Sequence, residues 1–215
     1  INLNKKIFVV TYQPVTLSKK KSIYEINNLL KSLSNFTNYN IIFTLPNHDK
    51  YSNLITNKIK SYCKKRSNFF YFNSLGHLNY LSLLKISELV IGNSSSGIIE
   101  APYLNVPTVN IGKRQQGRLM GRSVLSCNSS KLSIISAIKK ALILKKNRRI
   151  FSKKLYGDGN ASKKISNFLV KVKGGSPLRS NFTVASSEEL LQIVSFPEIN
   201  AVVVGKRLTR NIIVS

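Results

Sequence analysis

The chain has 215 residues, 42% of them hydrophobic and 20% charged, and its mean hydropathy is −0.06. These values fit a folded α/β core with room for an appendage, and they exclude a wholly disordered chain. No run approaches the roughly 18 apolar residues of a membrane span, and Ile1–Phe8 interleaves Asn4, Lys5 and Lys6 with apolar residues, unlike a signal peptide.

Charge is lopsided, with 34 Lys plus Arg against 8 Asp plus Glu, a formal charge of +26. A nucleic-acid or membrane surface is the obvious partner for such a chain. The basic residues, however, are spread over every segment, with only short clusters at Lys19–Lys21, Lys64–Arg66 and Lys145–Arg149. That spread fits a solvated cationic surface better than a dedicated basic face, so the expectation is no specific nucleic acid and no membrane. Cys63 and Cys127 match no metal-ligand spacing, and with two His residues no metal and no cofactor are expected. Reduced thiols in a cytoplasmic protein follow.

Short apolar runs alternate with amphipathic segments, the sequence form of βα units around a parallel sheet. Ile7–Tyr12 predicts a first strand, and Ile23, Ile26, Leu29, Leu30 and Leu33 a helix after it. Ile41–Leu45 is the second strand, closed by Pro46-Asn47-His48-Asp49 before a lysine-rich helix. Phe69–Phe72 reads as a strand, Tyr80–Ile86 as a helix, Leu89–Gly92 and Thr108–Ile111 as strands. Leu132, Ile135, Ile138 and Leu142 mark one more helix, and Ile165, Phe168, Leu169 and Val172 another. Gly174-Gly175-Ser176-Pro177 reads as a linker, followed by a helix at Ser187–Val194 and a strand at Ala201–Gly205. The expected division is an α/β domain over 1–173, then a linker and unassigned βα tail over 174–215. This tail has a faint likeness to one step of a dinucleotide-binding oxidoreductase but lacks Gly-x-Gly-x-x-Gly.

Chemistry concentrates where Val90-Ile91-Gly92 runs into Asn93-Ser94-Ser95-Ser96-Gly97-Ile98-Ile99-Glu100. In a parallel sheet, the carboxyl end of a strand leading into a helix is where ligands bind. Backbone N–H groups at a helix expected to begin near Ile98, with the hydroxyls of Ser94, Ser95 and Ser96 and the freedom of Gly97, suit a diphosphate. Glu100 would repel phosphate, so it would accept hydrogen bonds from neutral hydroxyls. The same serines also serve as ordinary helix caps. A second strand-end loop, Gly112-Lys113-Arg114-Gln115-Gln116-Gly117-Arg118, brings three cations. Arg114 and Arg118 fit a clamp on one anion, or surface solubility.

These residues resemble a family. The run Gly92–Pro102, then Val106–Gly112 with Arg114-Gln115 and Gly117-Arg118, then Tyr156-Gly157-Asp158-Gly159-Asn160-Ala161-Ser162 are similar, in order and spacing, to the hydrolysing UDP-N-acetylglucosamine 2-epimerases. The likeness runs from about Ile7 to Val170. It implies a three-layer, Rossmann-like, parallel-sheet half of a glycosyltransferase-B-type fold, here the carboxy-terminal, nucleotide-binding half. It implies UDP or UDP-N-acetylglucosamine as ligand, with Ser94, Ser95 and Arg114 at the diphosphate, Glu100 at a ribose hydroxyl and Asn47 near the cleft. The family chemistry is anti elimination of UDP, then addition of water to give N-acetylmannosamine, as in amino-sugar and nonulosonate biosynthesis, with no metal or redox cofactor.

Two departures bear on activity. Gln13, in Thr11-Tyr12-Gln13-Pro14, stands where the family has a His, and an amide carries no charge and shuttles no proton. The family's amino-terminal domain, source of the carboxylates for the C2 proton, is not in this sequence, which begins without Met and enters a strand within a few residues, as a fragment would. The chain alone is therefore expected to be inactive. His77 reads as a surface or half-buried structural residue, His48 equally as a turn cap or a candidate base, and Asp158 as a turn or cap residue. A homo-oligomer stays open. The rival readings are the nucleotide half of a UDP-sugar glycosyltransferase and a non-catalytic basic nucleic-acid binder.

Overall fold

A computed structural model describes residues 1–2, 4–15, 19–47, 49–146, 155–157, 159–173, 195–196 and 199–200. By its contacts the chain divides into two compact units, Ile1–Asp158 and Gly159–Ser215.

The first unit is an α/β sandwich. In chain order it holds β1 (Lys6–Thr11), α1 (Lys19–Leu33), β2 (Tyr39–Thr44), α2 (Ser52–Cys63), β3 (Phe69–Phe72), α3 (Gly76–Ile86) and β4 (Leu89–Gly92). A single 3-10 turn (Ser95–Gly97), α4 (Glu100–Tyr103), β5 (Thr108–Ile111), β6 (Val124–Cys127) and α5 (Lys131–Lys146) follow. All six strands are parallel and lie in the order β3-β2-β1-β4-β5-β6. The chain winds from β1 outward to β3, returns through α3 and resumes on the other side of β1 at β4. That reversal is the topological switch point, where loops leave adjacent strands for opposite faces and open a crevice.

The pleat explains the three layers. Phe8, Val10 and Tyr12 of the first strand segment face one way, packed with Ile26, Leu29, Leu30 and Leu33 of α1, Ile55 and Ile59 of α2, and Ile134 and Ile138 of α5. Val9 and Val90 face the other way, against Leu84, Ala101 and Val106 from the α3–α4 side. Strands covered on both faces are apolar at successive positions, which is why β1, β2 and β4 read as continuous hydrophobic runs. β3 is an edge strand, and Tyr71 and Phe72 are partly exposed.

Several expected elements differ. The helix expected near Ile98 is a 3-10 turn followed by the four residues Glu100–Tyr103. Pro102 and the left-handed Asn105 close it early. So short a helix accumulates little dipole, and anion binding here rests on individual N–H and hydroxyl groups. The edge strand β6 was not expected. Its four residues have no apolar run to announce them, and they are held by pairing with β5.

The second unit contains α6 (Ala161–Lys173) and a two-residue antiparallel pairing of β7 (Ser195–Phe196) with β8 (Ile199–Asn200). The helix expected at Ser187–Val194 and the strand at Ala201–Gly205 lie outside the described residues, as do His48 and Asp158.

Both cysteines are free and partly buried. Burial pushes each thiol up to about 11, so neither is a nucleophile near neutral pH.

At the end of β4, Gly92 has φ 144°, and a Cβ there would stand 1.9 Å from the Thr11 carbonyl oxygen. Gly92→Ala must push apart β1 and β4 at the switch point. It should destabilise the chain by about 3 kcal/mol or more, read from a urea unfolding midpoint; an unchanged midpoint would show the two strand ends are not in contact.

Candidate functional site

The strand-end loops are joined through Asn93, which is 1% exposed. Its side-chain amide lies flat against the Gln13 backbone, accepting from the Gln13 N–H at 2.7 Å and donating to the Gln13 carbonyl at 2.9 Å. Its own N–H donates to the Thr11 carbonyl at 3.2 Å. The Asn93 carbonyl accepts two further bonds, from Arg114 Nη1 at 3.1 Å and from Gln115 Nε2 at 2.8 Å. Arg118 Nη1 donates to Gln115 Oε1 at 3.0 Å. One residue thus ties the ends of β1 and β4 to the loop after β5. A buried backbone pair left without partners is costly, so this amide is structural.

Beside this knot lies a cleft of about 470 Å³ that holds Gln13, Asn47, Ser94, Ser96, His77 and Tyr80 among its lining residues. Gln13 is 5% exposed, and its Oε1 accepts the Asn47 backbone N–H at 3.0 Å, so the carboxamide straps the β1 loop to the β2 loop. His77 is exposed at the start of α3 and borders the cleft. Ser94 caps the 3-10 turn, its oxygen receiving the Ser96 N–H at 3.4 Å. The Ser96 hydroxyl is 2.6 Å from the Tyr80 hydroxyl. Gly97 is buried under the turn, donates its N–H to the Ser94 carbonyl, and a Cβ there would meet Thr108 Cγ2 at 2.7 Å. It makes room for the turn.

The cleft therefore gathers Gln13, Asn47, Ser94 and Ser96, while Ser95, Gly97, Glu100, Arg114 and Arg118 lie outside its lining. Arg114 is exposed and spends one nitrogen on Asn93. Glu100 carries the most telling atom, because its Oε2 is buried and makes no hydrogen bond among the described residues. A buried carboxylate oxygen without a donor is uncommon in a folded protein. Missed from sequence were Asn93, Gln115 and Tyr80. The signal for Asn93 was its place directly after the strand, where a side-chain amide can imitate a ladder partner. Among the described residues no cluster of three His, Cys, Asp or Glu is placed to hold a metal ion.

The model of the UDP-N-acetylglucosamine 2-epimerase family matches residues 1–170. This chain belongs to that family. A Campylobacter jejuni protein named GDP/UDP-N,N'-diacetylbacillosamine 2-epimerase (hydrolyzing) is 43% identical over 126 residues, 58% of this chain and 33% of that protein. Polysialic acid biosynthesis protein P7 of Escherichia coli is 42% identical over 138 residues, 64% of this chain and 35% of that protein. The fold is similar to that of UDP-GlcNAc 2-epimerase from Neisseria meningitidis, solved bound to UDP-GlcNAc, with a TM-score of 0.58 at 18% identity over 80% of this chain and 45% of that one. The chain spans about a third of the length of the first two relatives and under half of the solved chain.

Asn93→Ala removes both side-chain bonds and leaves the Gln13 N–H and carbonyl buried without partners. It should lower unfolding free energy by about 2–4 kcal/mol, measured in urea. A loss below about 1 kcal/mol would show that the amide strap does not hold the two strand ends.

Proposed function

We propose that the chain, over residues 1–173, is the UDP-sugar-binding half of a hydrolysing UDP-N-acetylglucosamine 2-epimerase and that it does not turn over substrate without an amino-terminal domain absent from this sequence. The observation that carries this reading is the knot at Asn93, which brings a neutral hydroxyl-rich turn and an arginine-bearing loop to one switch point in a member of this family. At such a crevice the diphosphate would take the N–H groups and hydroxyls of Ser94 and Ser95 and the free face of the Arg114 guanidinium. Arg118 would steady the arginine loop through Gln115. The orphaned Glu100 oxygen would accept from the ribose hydroxyls. The uracil end would lie toward the cleft wall at Asn47.

The first half of the reaction breaks a C–O bond to UDP and removes the C2 proton of the sugar. Arg114 and the serine turn would stabilise the departing diphosphate. Gln13 is held by the Asn47 N–H and offers only neutral hydrogen bonds, so it neither takes nor gives a proton in this step. The printed name of the Campylobacter relative includes N,N'-diacetylbacillosamine, so that sugar is the second substrate to try. A glycosyltransferase half would use the same nucleotide groove, and the fold does not separate the two. The family match favours the epimerase. No helix among the described residues is long and apolar enough to cross a membrane.

Titration with UDP in a calorimeter should give saturable binding, weakened about tenfold or more by Arg114→Ala and Ser94→Ala together, a loss of one to two charge-assisted bonds. Absence of binding, or binding indifferent to both changes, would sink the proposal. Incubation of the purified chain with UDP-N-acetylglucosamine should release neither N-acetylmannosamine nor UDP. Turnover would show that the chain carries its own general base.

A further inference from the structure

Behind the serine turn runs a line of hydroxyls drawn from four separate elements. Thr44 at the end of β2 and Thr11 at the end of β1 meet with their Oγ1 atoms 2.6 Å apart, in a buried contact. The Tyr80 hydroxyl, on α3, stands 2.6 Å from the Ser96 hydroxyl. All four side chains border the same cleft. Each hydroxyl can donate one proton and accept others, so either member of a pair can be the donor. With Tyr80 donating to Ser96, the Ser96 proton is left to point toward whatever occupies the crevice. None of the serines is otherwise fixed by a strong side-chain bond, since the Ser94 cap spans 3.4 Å.

We infer that Tyr80 is a positioning residue: its hydroxyl locks Ser96 and with it the 3-10 turn in the form that receives an anionic ligand. The inference rests on the UDP-sugar reading for the identity of that ligand but not for the lock itself. Ring packing is a separate matter. Tyr80 also packs its ring against the α3-side core with Val9 and Val90, a role that phenylalanine keeps. Burial, the largest effect, holds the phenol above its ordinary range, and the charge of Glu100 adds to it. Tyr80 therefore stays a neutral donor at physiological pH, and the lock involves no charged group.

The test uses the full chain with Tyr80→Phe, Ser96→Ala and the double variant. Hydrogen–deuterium exchange of the Ser95–Ile98 amides, without ligand, should quicken severalfold in Tyr80→Phe while the urea midpoint barely moves. Unchanged exchange would overturn the lock whether or not UDP binds. The UDP-N-acetylglucosamine dissociation constant should rise about three- to tenfold in each single variant, the loss of one hydrogen bond. It should rise no further in the double variant, because both changes remove the same link. Losses that multiply would assign the two hydroxyls independent roles and overturn the proposal. If the wild-type chain binds no UDP-sugar, the exchange experiment alone decides the lock, and the functional reading falls separately.

Discussion

The side-chain amide of Asn93 is the constraint on which the upper end of the sheet depends. A parallel sheet that changes winding direction leaves two adjacent strand ends whose loops diverge, so the backbone groups just beyond the ladder lose their neighbours. Asn93 supplies them. Its amide continues the β1–β4 pairing by one more step, to Gln13, after the backbone has turned away at Gly92. Because the same residue's carbonyl collects Arg114 and Gln115, the loop after β5 is referenced to the same point. Displacement of any one of the three loops would break bonds in the other two.

Electrostatics sharpens this picture. In a chain with a formal charge of +26 and 8 acidic residues, where the carboxylates sit is informative. Glu25 is buried on α1 and accepts from the Tyr12 hydroxyl at 2.5 Å, and Tyr12 is held protonated by burial first and by that carboxylate second. Glu88 pairs at 3.2 Å with Lys6, which is largely exposed, so that pair contributes little. Glu100 stands at the serine turn with one oxygen unsatisfied. The first two have structural partners. The third has, among the described residues, no donor for one oxygen, and it is the carboxylate the proposed reading assigns to a ribose hydroxyl.

What could be read from the sequence follows from how local each feature is. Strands β1, β2, β4 and β5 announced themselves because burial on both faces demands consecutive apolar residues, and α1 because one buried stripe recurs at helical spacing. The strand-end position of the serines needed only the Leu89–Gly92 run before them. β6 was illegible because its stability comes from the neighbour β5. The brevity of α4 was illegible because Ile98–Ala101 is as compatible with a longer helix until Pro102 and Asn105 are weighed. Non-local pairing also hid the role of Asn93, 80 residues from its partner Gln13, and that of Tyr80, 16 residues from Ser96. His77 read as a surface or half-buried structural residue, and it is exposed; its place at the start of α3 brings it to the cleft rim.

Gln13 shows how scaffold and chemistry can part at one position. A neutral imidazole there could accept the Asn47 N–H as the carboxamide oxygen does, so the strap between the β1 and β2 loops tolerates either side chain. Only the imidazole could then become charged as a leaving group develops negative charge. The amide keeps the architecture of the cleft while removing the one group on β1 able to respond to that charge. The remaining described donors on the strand-end loops are hydroxyls, backbone N–H groups and guanidinium, with the exposed His77 at the rim. On the proposed reading such a surface would hold a nucleotide sugar and stabilise a departing diphosphate, and the proton at carbon would be handled by groups from another domain.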